Sequence, residues 1–482
     1  MRICLIVEGC YPYVVGGVSS WVHSLIRSFP HQEFVLLTIV AGREMRGKFV
    51  YELPENVTEI HELYLNDADW GSKRWQCKMT RKEYMALRSL LLDQQADWET
   101  LFDFFHNPAV SVNRLLMGED FLHAVAECYS LNYSQIVFSD FLWQMRSIYL
   151  PLFFTIKMQV PKADLYHCLC TGYAGILGSM AKHFHGGRML ISEHGIYTRE
   201  REEELVKAKW VQELYKNIWI HQFRKLSRVG YARADLVTSL YEHARELQME
   251  LGCPEEKTLV TPNGIQTDRL QNLPGKHIED EGKINIGAVL RVTPIKDVKT
   301  MIQAFAFAKE REKDLKLWIM GPWEEDQEYA QECFDLVETL GVSDVVFTGR
   351  VDIRDYLGRM DLTILTSISE GQPLTILESY AAHKPVIATD VGNCKGLILG
   401  DKDDFGPAGI VAHVMNVEEI AQAMVYMAHH ERTRLEMGEI GYKRVMNGYR
   451  IEQMRETYEG IYRDFAKSMG LKWENETKKE NA

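Results

Sequence analysis

Two series of short apolar runs, one in each half of the chain, alternate with stretches of helical spacing. In the first half the runs cover residues 3–7, 34–40, 164–168, 189–192, 236–239 and 259–262. In the second they cover 284–290, 315–320, 345–348, 362–366, 386–389 and 409–412. Strands apolar on both faces need helices on both sides, so the alternation predicts parallel sheets packed between helices. The fold class is therefore α/β, with two doubly wound domains. A polar, turn-rich stretch at 271–282 marks the break between them. The expected domains are residues 1–275 and 276–450. Between 66 and 160 the strand runs give way to helical spacing, which predicts a helical insertion in the first domain. A helix over 451–473 carries Tyr458, Ile461, Tyr462 and Phe465 on one face. The polar tail 474–482 is expected to be disordered.

The length of 482 residues allows sizeable cores, and 46% hydrophobic with 26% charged residues is the balance of a soluble globular protein. The net charge of −13, with no basic run to offset it, argues against a nucleic-acid partner. An acidic chain that binds phosphate must gather its cations locally. Nine cysteines are scattered and cannot all pair, and Cys168 and Cys170 lack the second pair of a zinc site. Reduced, buried thiols of a cytosolic chain are the expectation. Met1-Arg-Ile-Cys-Leu-Ile-Val7 is too short for a signal peptide and reads as the first strand. The apolar region 136–160 is interrupted by Asp140, Arg146 and Lys157, so it reads as buried helix rather than a membrane span. Its aromatic load, with Phe141, Trp143, Phe153 and Phe154, fits either a surface that meets a membrane component or a local core.

Three loops carry the candidate chemistry. Glu370-Gly-Gln-Pro-Leu-Thr-Ile-Leu-Glu378 follows a buried strand and leads into a helix, with Pro373 suited to the first helical position. A helix start offers free N–H groups and the positive end of a dipole, which favour a phosphate. Glu370 and Glu378 on either side could accept hydrogen bonds from hydroxyls, although two solvated glutamates at that spacing are common. The loop Arg291-Val-Thr-Pro-Ile-Lys296 follows another apolar strand and brings two cations to a strand end. Ligands in such sheets bind at the carboxyl ends of strands. Cations there can stabilise a leaving diphosphate. Gly16 and Gly17 follow the first strand, where glycine serves either a tight turn or close approach of a ligand to the backbone. Their spacing is not that of a dinucleotide fingerprint. His194 ends a further strand, where it is either structural or part of the site.

These residues, together with Ala234-Asp-Leu-Val-Thr238, Pro262-Asn-Gly-Ile265, Phe347-Thr-Gly-Arg-Val351 and Lys384-Pro-Val-Ile-Ala-Thr-Asp-Val-Gly392, resemble the retaining glycosyltransferases of family four. The resemblance covers about residues 230–450. Ser192-Glu-His-Gly-Ile-Tyr-Thr-Arg-Glu-Arg201 and the Gly16-Gly17 loop resemble the glycosyltransferases of the Pel exopolysaccharide system. The resemblance implies the GT-B fold, two Rossmann-like domains facing a central cleft, with the helix 451–473 returning toward the first. It implies that Arg291 and Lys296 bind the donor diphosphate, Glu378 the ribose hydroxyls, and Glu370 the sugar hydroxyls. Backbone N–H groups after Glu370 would hold phosphate and sugar, with Gln372, Leu374 and Thr375 as the donors, since Pro373 has none; Gly371 belongs to the same substrate-binding loop. Gly321 and Val351 would line the nucleotide pocket, Gly16 and Gly17 would admit the donor, and His194 would lie by the sugar. His194, Arg291, Lys296 and Glu370 form the implied catalytic set. Where the family commonly has Phe after Gly371, this chain has Gln372, expected to place a polar side chain near the sugar. Arg199 and Arg201 either touch an acceptor or pair with the acidic cluster 200–204.

The activity so implied is cytoplasmic transfer of a hexose or N-acetylhexosamine from a UDP-sugar to a growing exopolysaccharide, with retention. No metal and no cofactor is expected, the UDP-sugar being donor substrate. The implied partners are the polysaccharide acceptor and a membrane-embedded export protein that would hold the chain at the inner face of the cell membrane. Two alternatives use the same fold: a non-catalytic nucleotide-sugar-binding subunit of an export complex, and a sugar phosphorylase, which needs a pyridoxal phosphate lysine.

Overall fold

Every strand of the computed structural model pairs in parallel with its neighbours, within two separate sheets. The structure describes residues 1–65, 78–208 and 211–473. One unit comprises Met1–Val260 together with the chain from Glu459 onward, and the other comprises Thr261–Tyr458. The expected tail 474–482 and the first part of the expected insertion lie outside the described residues.

In the first unit the strands are β1 (Arg2–Glu8), β2 (Glu33–Val40), β3 (Val57–Tyr64), β4 (Leu165–Cys168), β5 (Arg188–Glu193), β6 (Leu236–Ser239) and β7 (Thr258–Val260). Their order is β3-β2-β1-β4-β5-β6-β7. The central strands are apolar on both faces: Ile3, Leu5 and Ile6 of β1 are fully buried, as are Leu190 and Ile191 of β5. Truncating such a side chain to alanine costs about 2–5 kcal/mol. β3 has no counterpart among the apolar runs. It is an edge strand, Val-Thr-Glu-Ile-His-Glu-Leu-Tyr, and of its residues only Leu63 is buried. A strand covered on one side needs no continuous apolar run.

Helices from Arg81 to Lys157 form the insertion between β3 and β4. Its aromatic load is mostly core. Phe141, Leu152 and Phe153 are fully buried, and Phe105 and Phe153 meet with ring centroids 4.8 Å apart. Trp143 is the exception, 57% exposed beneath the Arg146 guanidinium at 4.8 Å. Among the described residues no helix is long and apolar enough to cross a membrane.

The second sheet contains β8 (Ile284–Val289), β9 (Leu315–Met320), β10 (Val345–Gly349), β11 (Leu362–Leu365), β12 (Val386–Thr389) and β13 (Gly409–Ala412), in the order β10-β9-β8-β11-β12-β13. Each coincides with an apolar run. The unit begins earlier than expected, at Thr261 rather than 276. The reason is packing: Ile265 pairs with Arg450, and Ile265 and Leu270 join Leu377, Tyr380 and Tyr449 in one cluster. The turn-rich stretch after it is fastened as well, since the buried Asp280 accepts from Lys316 at 2.7 Å and Arg359 at 3.0 Å. The helix Ile451–Ser468 belongs to the second unit up to Tyr458 and to the first from Glu459. There the Tyr462 hydroxyl lies 2.8 Å from Nδ1 of His167.

Candidate active site

The order of the second sheet reverses between β8 and β11, the first and fourth strands of its series. At such a switch point the loops leave in opposite directions and open a crevice at the strands' carboxyl ends. The loops there are those predicted from sequence, after β8 and after β11. They are sewn together. The Ile368 N–H donates to the Ile295 carbonyl at 2.9 Å, and the Thr366 hydroxyl reaches the Lys296 and Asp297 carbonyls, each at 3.1 Å. This brings Lys296 onto Glu370: the ammonium pairs with Oε1, which also accepts from the Ser367 hydroxyl at 2.6 Å. Both charged side chains are largely enclosed, 19% and 10% exposed.

The Glu370 loop is held from the other side by the turn after β12. The Asn393 N–H donates to the Gly371 carbonyl at 2.8 Å, and the Thr389 hydroxyl to the Ser367 carbonyl at 2.6 Å. Gly392, at φ +53°, makes the approach possible, because a Cβ there would lie 2.2 Å from the Glu370 carbonyl oxygen. Gly321 at the end of β9 is equally constrained, with φ +153° and room for a Cβ only 1.7 Å from the Leu290 carbonyl oxygen. Its N–H donates to the Gly349 carbonyl at 3.0 Å. Val351, just beyond, packs against the cluster of Trp318, Met320 and Met360.

The helix after Glu370 begins at Leu374, with Pro373 as its N-cap rather than its first residue. Glu378 is therefore one turn inside the helix, not at its start. Leu374 and Thr375 present N–H groups of the first turn, and neither has an acceptor among the described residues. The Glu378 carboxyl has no hydrogen-bond or ion-pair partner among the described residues either. Burial alone pushes its pKa up to about 7.

Two predicted residues stand elsewhere. Arg291 is half exposed and pairs with Glu325, at 2.6 and 2.8 Å, rather than with the Lys296 cluster. Gln372 does not present its carboxamide oxygen to the crevice. The side chain is 5% exposed and that oxygen accepts from the Asn263 N–H at 2.7 Å. Of the residues that build the cluster, sequence reasoning missed Ser367, whose signal is a hydroxyl three positions before Glu370, and Gly392.

In the first unit the order reverses between β1 and β4. Gly16 is the N-cap of the helix Gly17–Ser28, in extended backbone, and a Cβ there would touch nothing within 4 Å. Its own surroundings therefore do not require glycine. His194 directly follows β5. Its ring packs edge-on against Trp21, centroids 4.5 Å apart, and its buried Nε2 has no hydrogen-bond partner among the described residues. Burial pushes its pKa down to about 4, so the imidazole is neutral at pH 7. Arg201 pairs with Glu204 at 2.8 Å and lies over the Tyr197 ring at 5.5 Å. Two carboxylates escaped sequence reasoning, the half-buried Glu8 and the buried Glu193, which end β1 and β5. Glu193 stands in the Ser192–Arg201 stretch without a role of its own there, and Glu8 stands in no motif.

Comparison with known proteins adds the following. Residues 1–256 match a family model described as a domain of unknown function, DUF3492, and residues 283–430 match the glycosyl transferases group 1 model. The chain is 28% identical over 247 residues to N-acetyl-alpha-D-glucosaminyl L-malate synthase of Bacillus anthracis, across 50% of this chain and 62% of that protein. It is 23% identical over 317 residues to MMP alpha-(1->4)-mannosyltransferase of Mycolicibacterium hassiacum, across 62% of this chain and 70% of the relative. It thus spans between six and seven tenths of the length of these relatives. Among solved structures, Anabaena Alr3699/HepE in complex with UDP superposes with a TM-score of 0.62 at 13% identity, over 96% of this chain and 100% of that one. The fold is GT-B.

Proposed function

Because the chain belongs to the DUF3492 family and carries a glycosyl transferase group 1 segment behind that domain, we propose that it is a glycosyltransferase that moves a hexose or N-acetylhexosamine from a UDP-sugar to a polysaccharide acceptor. The observation that carries this reading is the Lys296–Ser367–Glu370 cluster at the switch point of the second sheet, followed on the next helix by the unpartnered Glu378. The UDP held by Anabaena HepE supports the choice of nucleotide.

The roles follow from charge. Lys296, now neutralised by Glu370, turns to the donor diphosphate, and Arg291 leaves Glu325 to join it. Glu370, released from its cation, accepts from the sugar hydroxyls. Glu378 accepts from the ribose hydroxyls, which donate best to an ionised carboxylate. The free N–H groups of Leu374 and Thr375 add donors at a helix start. Transfer proceeds with retention. The acceptor hydroxyl attacks the anomeric carbon on the face from which UDP departs. The carbon–oxygen bond to the β-phosphate breaks, and the departing phosphate oxygen takes the acceptor proton. His194, neutral and with Nε2 unpartnered, hydrogen-bonds a sugar hydroxyl. The Pel-like stretch 192–201 supports an exopolysaccharide as product, made in the cytoplasm beside a membrane-embedded exporter. Copurification with membrane components tests that placement.

The decisive experiment measures UDP release from UDP-glucose, UDP-GlcNAc and UDP-GalNAc, with and without oligosaccharide acceptors. Acceptor-dependent release is expected with one of them, and NMR of the product reads the anomeric configuration. UDP binding without release from any donor would favour the non-catalytic subunit instead.

A further inference from the structure

We propose that Tyr197 is a positioning residue that holds the His194 loop by bridging two carboxylate posts, Glu8 at the end of β1 and Glu193 at the end of β5. The proposal rests on the role given to His194 above and goes beyond it by assigning what orients the imidazole. Tyr197 is 4% exposed and opens the helix Tyr197–Lys207, three residues after His194. Its hydroxyl donates to Glu8 Oε1 at 3.1 Å, and its backbone N–H to Glu193 Oε1 at 3.4 Å. The ring occupies space left by a glycine: a Cβ on Gly172 would lie 2.2 Å from it.

Both posts are fixed independently of Tyr197. Glu8 Oε2 accepts from the Tyr173 N–H at 3.0 Å and the Cys170 thiol at 3.4 Å. Glu193 accepts from the Tyr231 hydroxyl at 2.7 Å, Gln248 Nε2 at 3.0 Å and the Thr171 hydroxyl at 3.0 Å. All four acceptor positions of Glu193 are thus used within the fold, and both oxygens of Glu8 are bonded there. What they leave is a rigid frame at two strand ends, with Tyr197 spanning it. His194 sits inside that span. Among the described residues its Nε2 has no hydrogen bond to set the ring's direction, and its ring contact is with Trp21. The backbone of residues 193–197, which the posts hold, therefore sets where the His194 side chain leaves the chain and how its ring meets Trp21.

Tyr197→Phe removes the bond to Glu8 and keeps the ring. Transfer is expected to fall roughly tenfold, the scale of one hydrogen bond to a carboxylate, with UDP affinity unchanged. In a His194→Ala background, measured under single turnover, the same substitution should add no further loss, because a residue that acts through His194 has nothing left to act on. A second reading needs no activity. The His194 Cε1–H resonance, assigned by its absence in His194→Ala, is shifted by the Trp21 ring and should move toward its ordinary position in Tyr197→Phe and in Glu8→Ala. An unchanged resonance, unchanged transfer, or an equal loss in both backgrounds would overturn the proposal. Failure of the unaltered chain to transfer any sugar would fall on the functional reading itself. The resonance would still decide whether Tyr197 orients the ring.

Discussion

The two units share a topology and differ in what they place at its switch point. In each, a parallel sheet reverses its order between the first and fourth strands of its series, β1 and β4 in one, β8 and β11 in the other. The second unit brings a lysine there and leaves Glu378 without a partner among the described residues. The first brings carboxylates, and they are consumed: Glu193 accepts from Thr171, Tyr197, Tyr231 and Gln248. Both units hold a buried glutamate with a pKa pushed upward by burial. The difference is satisfaction. A buried carboxylate that has all its donors is part of the frame, whereas one that has none is an open position for a ligand's hydroxyls. The same contrast appears among the bases, with a charged lysine in the second unit and an unbonded neutral imidazole in the first.

The largest effect should come from breaking the charge in the second unit. Lys296→Ala is expected to weaken UDP binding and to slow transfer on the order of 100-fold, the value of one or two charge-assisted bonds to phosphate. Glu370→Ala should slow transfer comparably while leaving UDP affinity the same or tighter, since it frees Lys296 from its pair. Calorimetry with UDP on both variants separates them. Equal losses of affinity would mean that the pair acts as one structural unit, and the contrast between frame and site would fail for Glu370.

A smaller loss, about tenfold to 100-fold in transfer with no change in UDP binding, is expected for His194→Ala. Because burial holds its pKa near 4, the unaltered chain should show no acid limb from His194 between about pH 5 and 8, the range in which an ordinary histidine titrates. An acid limb near neutrality that disappears in the variant would show the imidazole to be charged in the working state, and the first unit to resemble the second more than its burial indicates.

How much of this was legible beforehand follows the physics of burial. Strands covered on both faces must be apolar throughout, so β1, β2, β8 and β11 could be read as runs. β3, with only Leu63 buried, could not. The cation and carboxylate of the second unit stand on loops directly after such strands, and strand ends are where sequence points. Their pairing depends on the Thr366 and Ile368 bonds that draw the loops together, which no spacing encodes. The place of Gln372 is hidden from the sequence for a related reason. Its carboxamide satisfies the backbone of Asn263, more than a hundred positions earlier in the chain. Glu8 carries no sequence signal, and Glu193 stands in the Ser192–Arg201 stretch with nothing to mark its role, because their donors come from four separated segments, residues 170–173, 197, 231 and 248.

Glu378 sharpens the comparison through pH. Its folded-state pKa, about 7, lies above the ordinary carboxyl value. Its contribution to stability is therefore complete below that ordinary value and is lost as pH rises through about 7. UDP binding runs the opposite way, because ribose hydroxyls donate to the ionised form. The rise in melting temperature given by UDP should be larger at about pH 8 than at about pH 6, by the equivalent of several-fold in affinity. UDP itself gains charge near pH 6, but Glu378→Gln carries that term too, so the difference between the two profiles isolates the carboxylate. Parallel profiles would return Glu378 to the frame.

The smallest effect concerns Arg291. Its pair with Glu325 is half exposed on both sides, 48% and 52%, and such pairs contribute about 0–1 kcal/mol. A cation held this loosely is available to a phosphate at little cost, unlike Lys296 in its enclosed pair. Glu325→Gln removes the competitor, so UDP affinity should tighten by up to about fivefold at low salt. The gain should vanish near 1 M salt, where the screening length is about 3 Å. Arg291→Ala should weaken UDP binding by more than Glu325→Gln strengthens it, because the variant loses the phosphate contact as well as the pair. If Glu325→Gln instead weakens binding, Glu325 is a donor ligand in its own right. The second unit would then hold a second carboxylate that exchanges a cation for a sugar or nucleotide, in the manner proposed for Glu370.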